Sequence, residues 1–476
     1  MKALKFLFFD YWPYEYAKGF SYVTNTPVKS EHGPLFRRDI NYRFKGLNYH
    51  TVIYDEQEEI FKVWYCTRFY DFETLEHEEY MVYGTSPDGI AWDFPNQDVV
   101  EGTNYVTTRE DYAMGASVIK DIDDEKMPYK LLMRPKCEPK IEPAIFAYYS
   151  MDGIHWQKVQ EEPVLPNNTD CQVSFYRDSE TKLYKACFRG SIGNRRVFQA
   201  QSKDFIHWSE PVLTLDTDMA DGPQVQIYNF QMSQYGNYAI GLSPMYNTRE
   251  SDMGTGKMFG TTDIKLAFSR GGYNWKWAHN QRRFIETGEA GAFDSHGIYN
   301  ASDLVYLDDE IRIYYAGVPF DHGDFESYKT KVQSCGYATL RPDGFTKISC
   351  DAKGELLTRT FSVIEGAIYL NCDSSAGGIQ VELMEEDGTV IEGFDRGNCR
   401  VISEDNTKKK VEWIDAPDVS KILKKVIRLK VYAEKADIYS ITFSNGSDIN
   451  RYWDFKEGLF SRPLRDVDED EFFMHV

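Results

Sequence analysis

Apolar residues along this chain come in short runs, and their spacing is that of strands. Thr51-Val-Ile-Tyr-Asp55, Phe61-Lys-Val-Trp-Tyr65, Ala144-Ile-Phe-Ala-Tyr-Tyr149 and Ile264-Lys-Leu-Ala-Phe268 are rich in β-branched and aromatic side chains, and Asp, Gly and Asn bound them. The 3.6-residue period of an amphipathic helix is nearly absent between residues 45 and 445, which predicts an all-β fold. One helical turn or two is predicted at 417–423.

Two motifs recur in a fixed order. The first is a turn: Ser86-Pro-Asp-Gly-Ile-Ala-Trp92, Ser150-Met-Asp-Gly-Ile-His-Trp156, Ser202-Lys-Asp-Phe-Ile-His-Trp208 and Ser269-Arg-Gly-Gly-Tyr-Asn-Trp275. A degenerate fifth copy is Leu340-Arg-Pro-Asp-Gly-Phe345, and the closing aromatics lie about 63 residues apart. The second motif leads each unit: a strand, an acidic turn, then a strand of the form aromatic–Lys–apolar. It reads 51–55 with 61–65, 117–121 with 129–133 and 173–178 with 184–188, and more loosely 224–228 with 238–242 and 304–308 with 311–315. Strand, hairpin, strand, strand, turn, five times over, predicts a five-bladed β-propeller. A four-stranded sheet buries both faces only when neighbours stack around an axis. The propeller with an N-terminal extension is assigned to residues 1–350. The repeat then stops, and alternating short strands over 351–445 predict a C-terminal β-sandwich. The tail 446–476, with the acid run Asp466–Glu471, is expected to pack on the body or on a partner.

Charge narrows the partners. Lys and Arg number 54 against 75 Asp and Glu, a net charge of −21, which disfavours nucleic acid and anionic membrane surfaces. No apolar run approaches the roughly 20 residues of a membrane span. The N-terminal apolar stretch holds Lys5 and runs into Asp10, so it is read as mature sequence rather than a leader. Eight scattered cysteines with no CxxC pair point the same way, to a reducing, cytoplasmic setting. Nothing matches a phosphate-binding loop, a dinucleotide fingerprint, a zinc motif or a nucleophile elbow, so no cofactor is expected.

The five units and the sandwich, together with Asn25-Thr-Pro-Val-Lys-Ser-Glu-His-Gly-Pro-Leu-Phe36, the hairpin at 54–65 and Phe293-Asp-Ser-His-Gly-Ile298, resemble the family 32 and family 43 glycoside hydrolases. Those proteins share a five-bladed propeller, and the resemblance covers about residues 20–445. It implies cleavage of an oligosaccharide in the central funnel, by hydrolysis or transglycosylation. The alternative is a carbohydrate-binding propeller without catalysis. The family 32 Trp–Met–Asn–Asp–Pro string, Arg–Asp–Pro triplet and Glu–Cys pair are absent, so residue roles are read from this chain itself.

In a propeller, residues just ahead of each innermost strand face the funnel. Those positions hold Asp39, Asp111, Asp170, Asp221 and Asp294, the catalytic candidates. Glycosidic chemistry needs one protonated carboxyl and one ionised carboxylate, and crowding like charges raises one pKa. Arg38, Asn48, Arg134, Arg189, Glu289 and His296 are the candidates for holding substrate. No metal site is expected; a structural cation beside His296 in the channel is left open. Asp88, Asp152 and Asp204 of the repeated turn resemble the Asp-box hairpins of sialidase propellers and are read as structural. Trp12, Tyr14, Tyr16, Tyr70 and Phe320 are candidates for stacking on sugar rings. Self-association through the sandwich and the aromatic tail is left open.

Overall fold

The computed structural model describes residues 4–444, apart from 37–46, 71–76, 112, 136–143, 167–170, 191–194, 250–258, 279–282, 325, 328–329, 363–366, 415–421 and 423–424. The predicted helix, except Ile422, and the tail 446–476 lie outside the described residues. The chain forms two compact units, Thr26–Leu340 and Met1–Asn25 joined with Arg341–Val476.

The first unit is the propeller. Blade one is the antiparallel meander Leu47–Asp55, Ile60–Tyr70, His77–Ser86. Blade two is built on Met114–Lys120, Tyr129–Arg134 and Ala144–Ser150; blade three on Ser174–Arg177, Tyr184–Gly190, Arg196–Ser202 and Val212–Leu215. Blade four centres on Gln231–Tyr235, Tyr238–Thr248 and Gly260–Arg270. Blade five runs Gly297–Asn300, Ile311–Val318 and Ser334–Leu340. The outer strand of blade five comes from the start of the unit: Val28 and Lys29 pair with Thr339 and Ala338, which closes the ring.

The leading motif is an inter-blade clasp. Asp55 ends the inner strand of blade one and is 1% exposed. Its carboxylate binds Lys62 of its own blade at 3.0 Å, and Lys120 and the Tyr129 hydroxyl of blade two at 2.7 and 2.9 Å. Although burial opposes ionisation, these three donors outweigh it and hold the acid well below the usual carboxylate range. One blade on, Asp121 accepts from Arg177 at 2.7 Å and from the Tyr184 hydroxyl, both of blade three. At the next junction Gln234 stands where Lys120 and Arg177 stood, and its side-chain oxygen accepts from the Ser179 amide at 2.9 Å.

The repeated turn is a second clasp, on the same end of the blades. Asp88 Oδ1 accepts from the amides of Ile90 and Ala91, both at 2.8 Å, and Asp152 and Asp204 repeat the geometry. This is the structural role expected of them. The turn must then pass under a neighbouring blade's aromatic. Gly153 lies in the left-handed region with its carbonyl accepting from Trp64 Nε1 at 2.7 Å, and a Cβ there would sit 2.7 Å from the indole ring. Gly89 does the same beneath Tyr314 of blade five, whose hydroxyl donates to the Gly89 carbonyl at 2.9 Å. Only glycine fits both demands.

The second unit folds a nine-stranded sheet around one core that includes Phe6, Phe8, Leu356, Val381, Trp413 and Ile441. Its spine is the 19-residue strand Val426–Ser444. Sequence assigns residues 1–350 to the propeller, and the structure corrects that boundary at both ends. Leu4–Leu7 pairs with Val426–Ser444, while Tyr14–Lys18 and Ser21–Thr24 pair with Thr346–Thr358. The physical reason is Lys5. Its ammonium meets Asp343 at 2.5 Å with both side chains 1% exposed, and Ser440 donates to the other carboxylate oxygen. Asp343 belongs to the degenerate fifth turn, so that copy serves the sandwich unit instead of a blade.

Removing one partner of a buried, multiply bonded ion pair costs about 3–5 kcal/mol, because the other charges are left uncompensated. Asp55→Asn takes the buried charge from Lys62 and Lys120, and as Glu58 still pairs with Lys62 and Gln57 still accepts from Lys120, it is expected to cost about 3 kcal/mol, the lower end of that range, in urea denaturation. Asp88→Asn keeps an accepting oxygen over the turn and should cost no more than about 1 kcal/mol. Equal costs would show that the Asp55 clasp contributes no more to stability than a turn cap.

Candidate functional site

Side chains from all five blades plug the axis. Thr51 and Ser302 hydroxyls meet at 2.6 Å, and the Val118 amide donates to Thr51 at 3.2 Å. Gln172 Nε2 donates to the Ala116 carbonyl at 2.8 Å, and its oxygen accepts from Gln231 at 2.9 Å. Ser174 accepts from the Met232 amide at 2.8 Å and donates to the Ser302 carbonyl at 3.3 Å. His50 stands among them, 1% exposed, and burial drives its imidazole pKa down to about 3. Its Nε2, Ser117 Oγ, Gln231 Oε1 and Asn300 Oδ1 have no hydrogen-bond partner among the described residues.

A plugged axis leaves two ends. Both clasps sit at the hairpin end, where the blades are locked together. The entry end, where the inner strands begin, is the one available for chemistry, and two polar groups are built there. In the first, Glu79 lies directly across the ladder from Arg68 and pairs with its guanidinium. Glu79 is 2% exposed; burial raises its carboxyl pKa, with Arg68 and then Arg134 opposing. In the second, Tyr228, Tyr246, Tyr299 and His322 form an aromatic box. Tyr228 crosses Tyr299 at 4.9 Å and His322 at 5.0 Å between ring centres, and His322 meets Tyr246 at 5.0 Å. Two guanidiniums cover it. Arg189 lies 5.6 Å from the Tyr228 ring and donates to the Tyr228 carbonyl at 2.9 Å, while Arg195 lies 5.1 Å from Tyr246 and 6.0 Å from Tyr228.

Several sequence-predicted residues stand elsewhere. Asp221 belongs to the 3₁₀ turn Met219–Asp221, caps it through the Asp218 amide, and is held by Lys265 at 2.7 Å and Arg283 at 3.6 Å. That turn points it at the third strand of blade four, which holds Lys265. Asp294 is buried against blade five, bound by Lys29 at 2.6 Å and the Tyr315 hydroxyl at 3.1 Å, so it clasps the ring-closing strand. Asp111 accepts at 2.8 Å from both the Thr108 amide and hydroxyl, as a turn cap does. Asp111, Asp221 and Asp294 are thus each held by a different set of partners. His296 meets the Ser295 hydroxyl through Nδ1 at 2.9 Å, and Glu289 is exposed. Arg134 and Arg189 do stand at the entry end. Arg38, Asp39, Asp170 and the side chains of Asn48 and Tyr70 lie outside the described residues. Of the proposed stacking aromatics, Trp12 packs on Phe6 and under Arg359 in the sandwich unit, Tyr14 and Tyr16 lie in a strand of that unit, and Phe320 is buried.

Sequence reading passed over Glu79, Arg195, Tyr228, Tyr246, Tyr299 and His322. For Glu79 a signal existed. Glu79, Met81 and Tyr83 share one face of a strand, and Met81 and Tyr83 are core residues, so alternation puts a carboxyl on the buried face.

No family model and no curated protein matches the chain. Among solved structures it is similar to an N-acetylgalactosamine deacetylase from F. plautii in complex with blood group B trisaccharide, at 14% identity and a TM-score of 0.47 over 68% of this chain and 96% of that one. It is also similar to a family 32 β-fructofuranosidase of Bombyx mori, at 11% identity and a TM-score of 0.45 over 84% of this chain and 92% of that one. A β-1,2-mannobiose phosphorylase from Listeria innocua gives 12% identity and a TM-score of 0.44 over 66% and 96%. The five-bladed reading rests on the sheets themselves.

The plug makes a pH prediction. His50 titrates at about 3 when folded and near 6.5 when unfolded, so its neutral form supports the fold above pH 6.5, and that support drains away as pH falls towards 3. Across that window the stability difference between wild type and His50→Gln should move in favour of the variant by about 1.4 kcal/mol per pH unit. Urea midpoints at half-unit steps measure it. A pH-independent difference would mean that His50 is not held neutral.

Proposed function

We propose that this protein is a glycoside hydrolase or transglycosylase acting on an oligosaccharide at the entry end of the propeller axis. The observation that carries this reading is the box of Tyr228, Tyr246, Tyr299 and His322 under Arg189 and Arg195, at the open end of a plugged channel. Aromatic faces accept the C–H faces of a pyranose, and guanidiniums donate in a fixed fork to its oxygens. The resemblance to family 32 and 43 propellers supports the same chemistry.

The catalytic pair is drawn from Asp39, Asp111 and Asp170, which precede the inner strands of blades one, two and three in the chain. One donates a proton to the leaving oxygen; another attacks the anomeric carbon or activates water. Glu79 positions Arg68. A specific observation favours a second reading, a carbohydrate-binding propeller without catalysis: Asp221 and Asp294 are each bound by cations of the scaffold, which removes two of five carboxylates from the chemistry. A cytoplasmic setting is part of the proposal, supported by the absence of any disulfide among the seven described cysteines.

A panel of aryl glycosides and of plant and microbial oligosaccharides, with products resolved, tests the reaction. On a confirmed substrate Asp111→Asn and Asp170→Asn are expected to lower the rate about 100-fold or more with folding retained, whereas Asp88→Asn leaves it alone. Near-full turnover in Asp39→Asn, Asp111→Asn and Asp170→Asn alike would overturn the assignment. Binding without turnover would select the second reading.

A further inference from the structure

The proposed function leaves the positive charge of the entry-end arginines unexplained, since a neutral sugar does not need it. In blades two and three the second strand carries Arg four residues after the motif lysine: Lys130 to Arg134 and Lys185 to Arg189. The equivalent residue of blade one is Cys66, whose thiol reaches the Ala113 carbonyl at the entry to blade two, as Arg189 reaches the Tyr228 carbonyl at the entry to blade four. This register position therefore points at the mouth of the next blade. Arg68, two residues beyond Cys66, and Arg195, on the returning side of blade three, add two more guanidiniums at the same end.

Three observations say what these cations are for. Arg68 is held by Glu79 yet keeps 30% of its side chain exposed. Arg134 is half-buried, and its Nε is shut off from solvent with no hydrogen-bond partner among the described residues. Arg189 and Arg195 lie 5.6 and 5.1 Å from the centres of the Tyr228 and Tyr246 rings, within reach of a cation–π attraction. A guanidinium stays protonated in such surroundings, and partial burial strengthens its pull on an anion. Its planar fork matches a carboxylate in two parallel hydrogen bonds.

We propose that the oligosaccharide carries a carboxylate, a uronate residue held by Arg134 and Arg195 with its pyranose face on the half-buried ring of Tyr228, which buried Arg189 fixes from behind. This inference rests on the carbohydrate reading above and narrows it to one substrate class.

Calorimetric titration of the full chain with trimers of galacturonate, mannuronate and guluronate, each beside its own carboxyl-reduced neutral counterpart, tests it. At least one acidic trimer should bind about tenfold or more tightly than its reduced form. Arg195→Gln and Arg134→Gln should each bring the ratio of acidic to neutral affinity close to one. Arg134→Lys and Arg195→Lys keep the charge without the fork and should retain only part of it, and thermal melting confirms that each variant folds. Equal affinity for acidic and reduced trimers, or binding of neutral sugars alone, would overturn the uronate assignment while the carbohydrate reading stands. No binding of any sugar would overturn both. Inorganic phosphate or sulfate binding as tightly as the acidic trimer would show a general anion site and also overturn it.

Discussion

The buried carboxylate of Asp55 sets the terms for the rest of the propeller. An ionised acid at 1% exposure survives only with its charge answered, and two of its three partners belong to the next blade. Blade two cannot dock on blade one in another register without stranding Asp55, Lys62 and Lys120 together. The same arrangement at Asp121, with Arg177 and Tyr184, carries the rule forward one blade. Hydrophobic contact between sheets is permissive about sliding, whereas a desolvated ion pair is not. The clasp thereby fixes the order and angle of stacking that apolar faces alone would leave loose.

That constraint explains which half of the molecule was legible. The motif acid, the aromatic–Lys strand and the repeated Ser-x-Asp-Gly turn recur because each blade must solve the same docking problem at the hairpin end. Repetition in sequence was thus a record of packing, and it gave the blade count and the structural role of Asp88, Asp152 and Asp204. The entry end has no such problem to repeat. Its residues differ from blade to blade, so position relative to a strand was a poor guide to role. Asp221 and Asp294 met the positional rule and were nevertheless taken up by Lys265 and Lys29. Arg134 and Arg189 were legible because they fall in register with the repeated lysine. Tyr228, Tyr299 and His322 match nothing at the corresponding places of the other blades, and nothing local marks them.

The N-terminal misassignment has a related cause. Lys5 interrupts an apolar stretch, a pattern that reads equally well as a polar interruption or as a partnered core charge. What decides is Asp343, 338 residues away. Pairing over such a distance leaves no local trace in either segment, and the degenerate fifth turn looked like one more blade closure. The strand Val28–Lys29 shows the converse: four residues past Asn25, the chain has already entered the outer edge of blade five, because Lys29 is needed by Asp294.

Charge on two length scales acts on any acidic ligand of the entry end. The whole chain carries −21, a field that repels an anion at a distance and that physiological salt confines to about 8 Å. Within that range the contacts proposed for Arg134 and Arg195 would act. Added salt relieves the distant repulsion and weakens the near attraction, so the two effects oppose each other in one measured affinity. A flat salt dependence would then be uninformative, since cancellation and indifference give the same curve. Removing the carboxyl from the sugar while keeping its ring, or the fork from the arginine while keeping its charge, changes the near contact almost alone. The geometry of the fork, rather than the sign of the field, is what such a pair of comparisons reads, and the sugar ring rather than the fork is what separates a uronate from a simple anion.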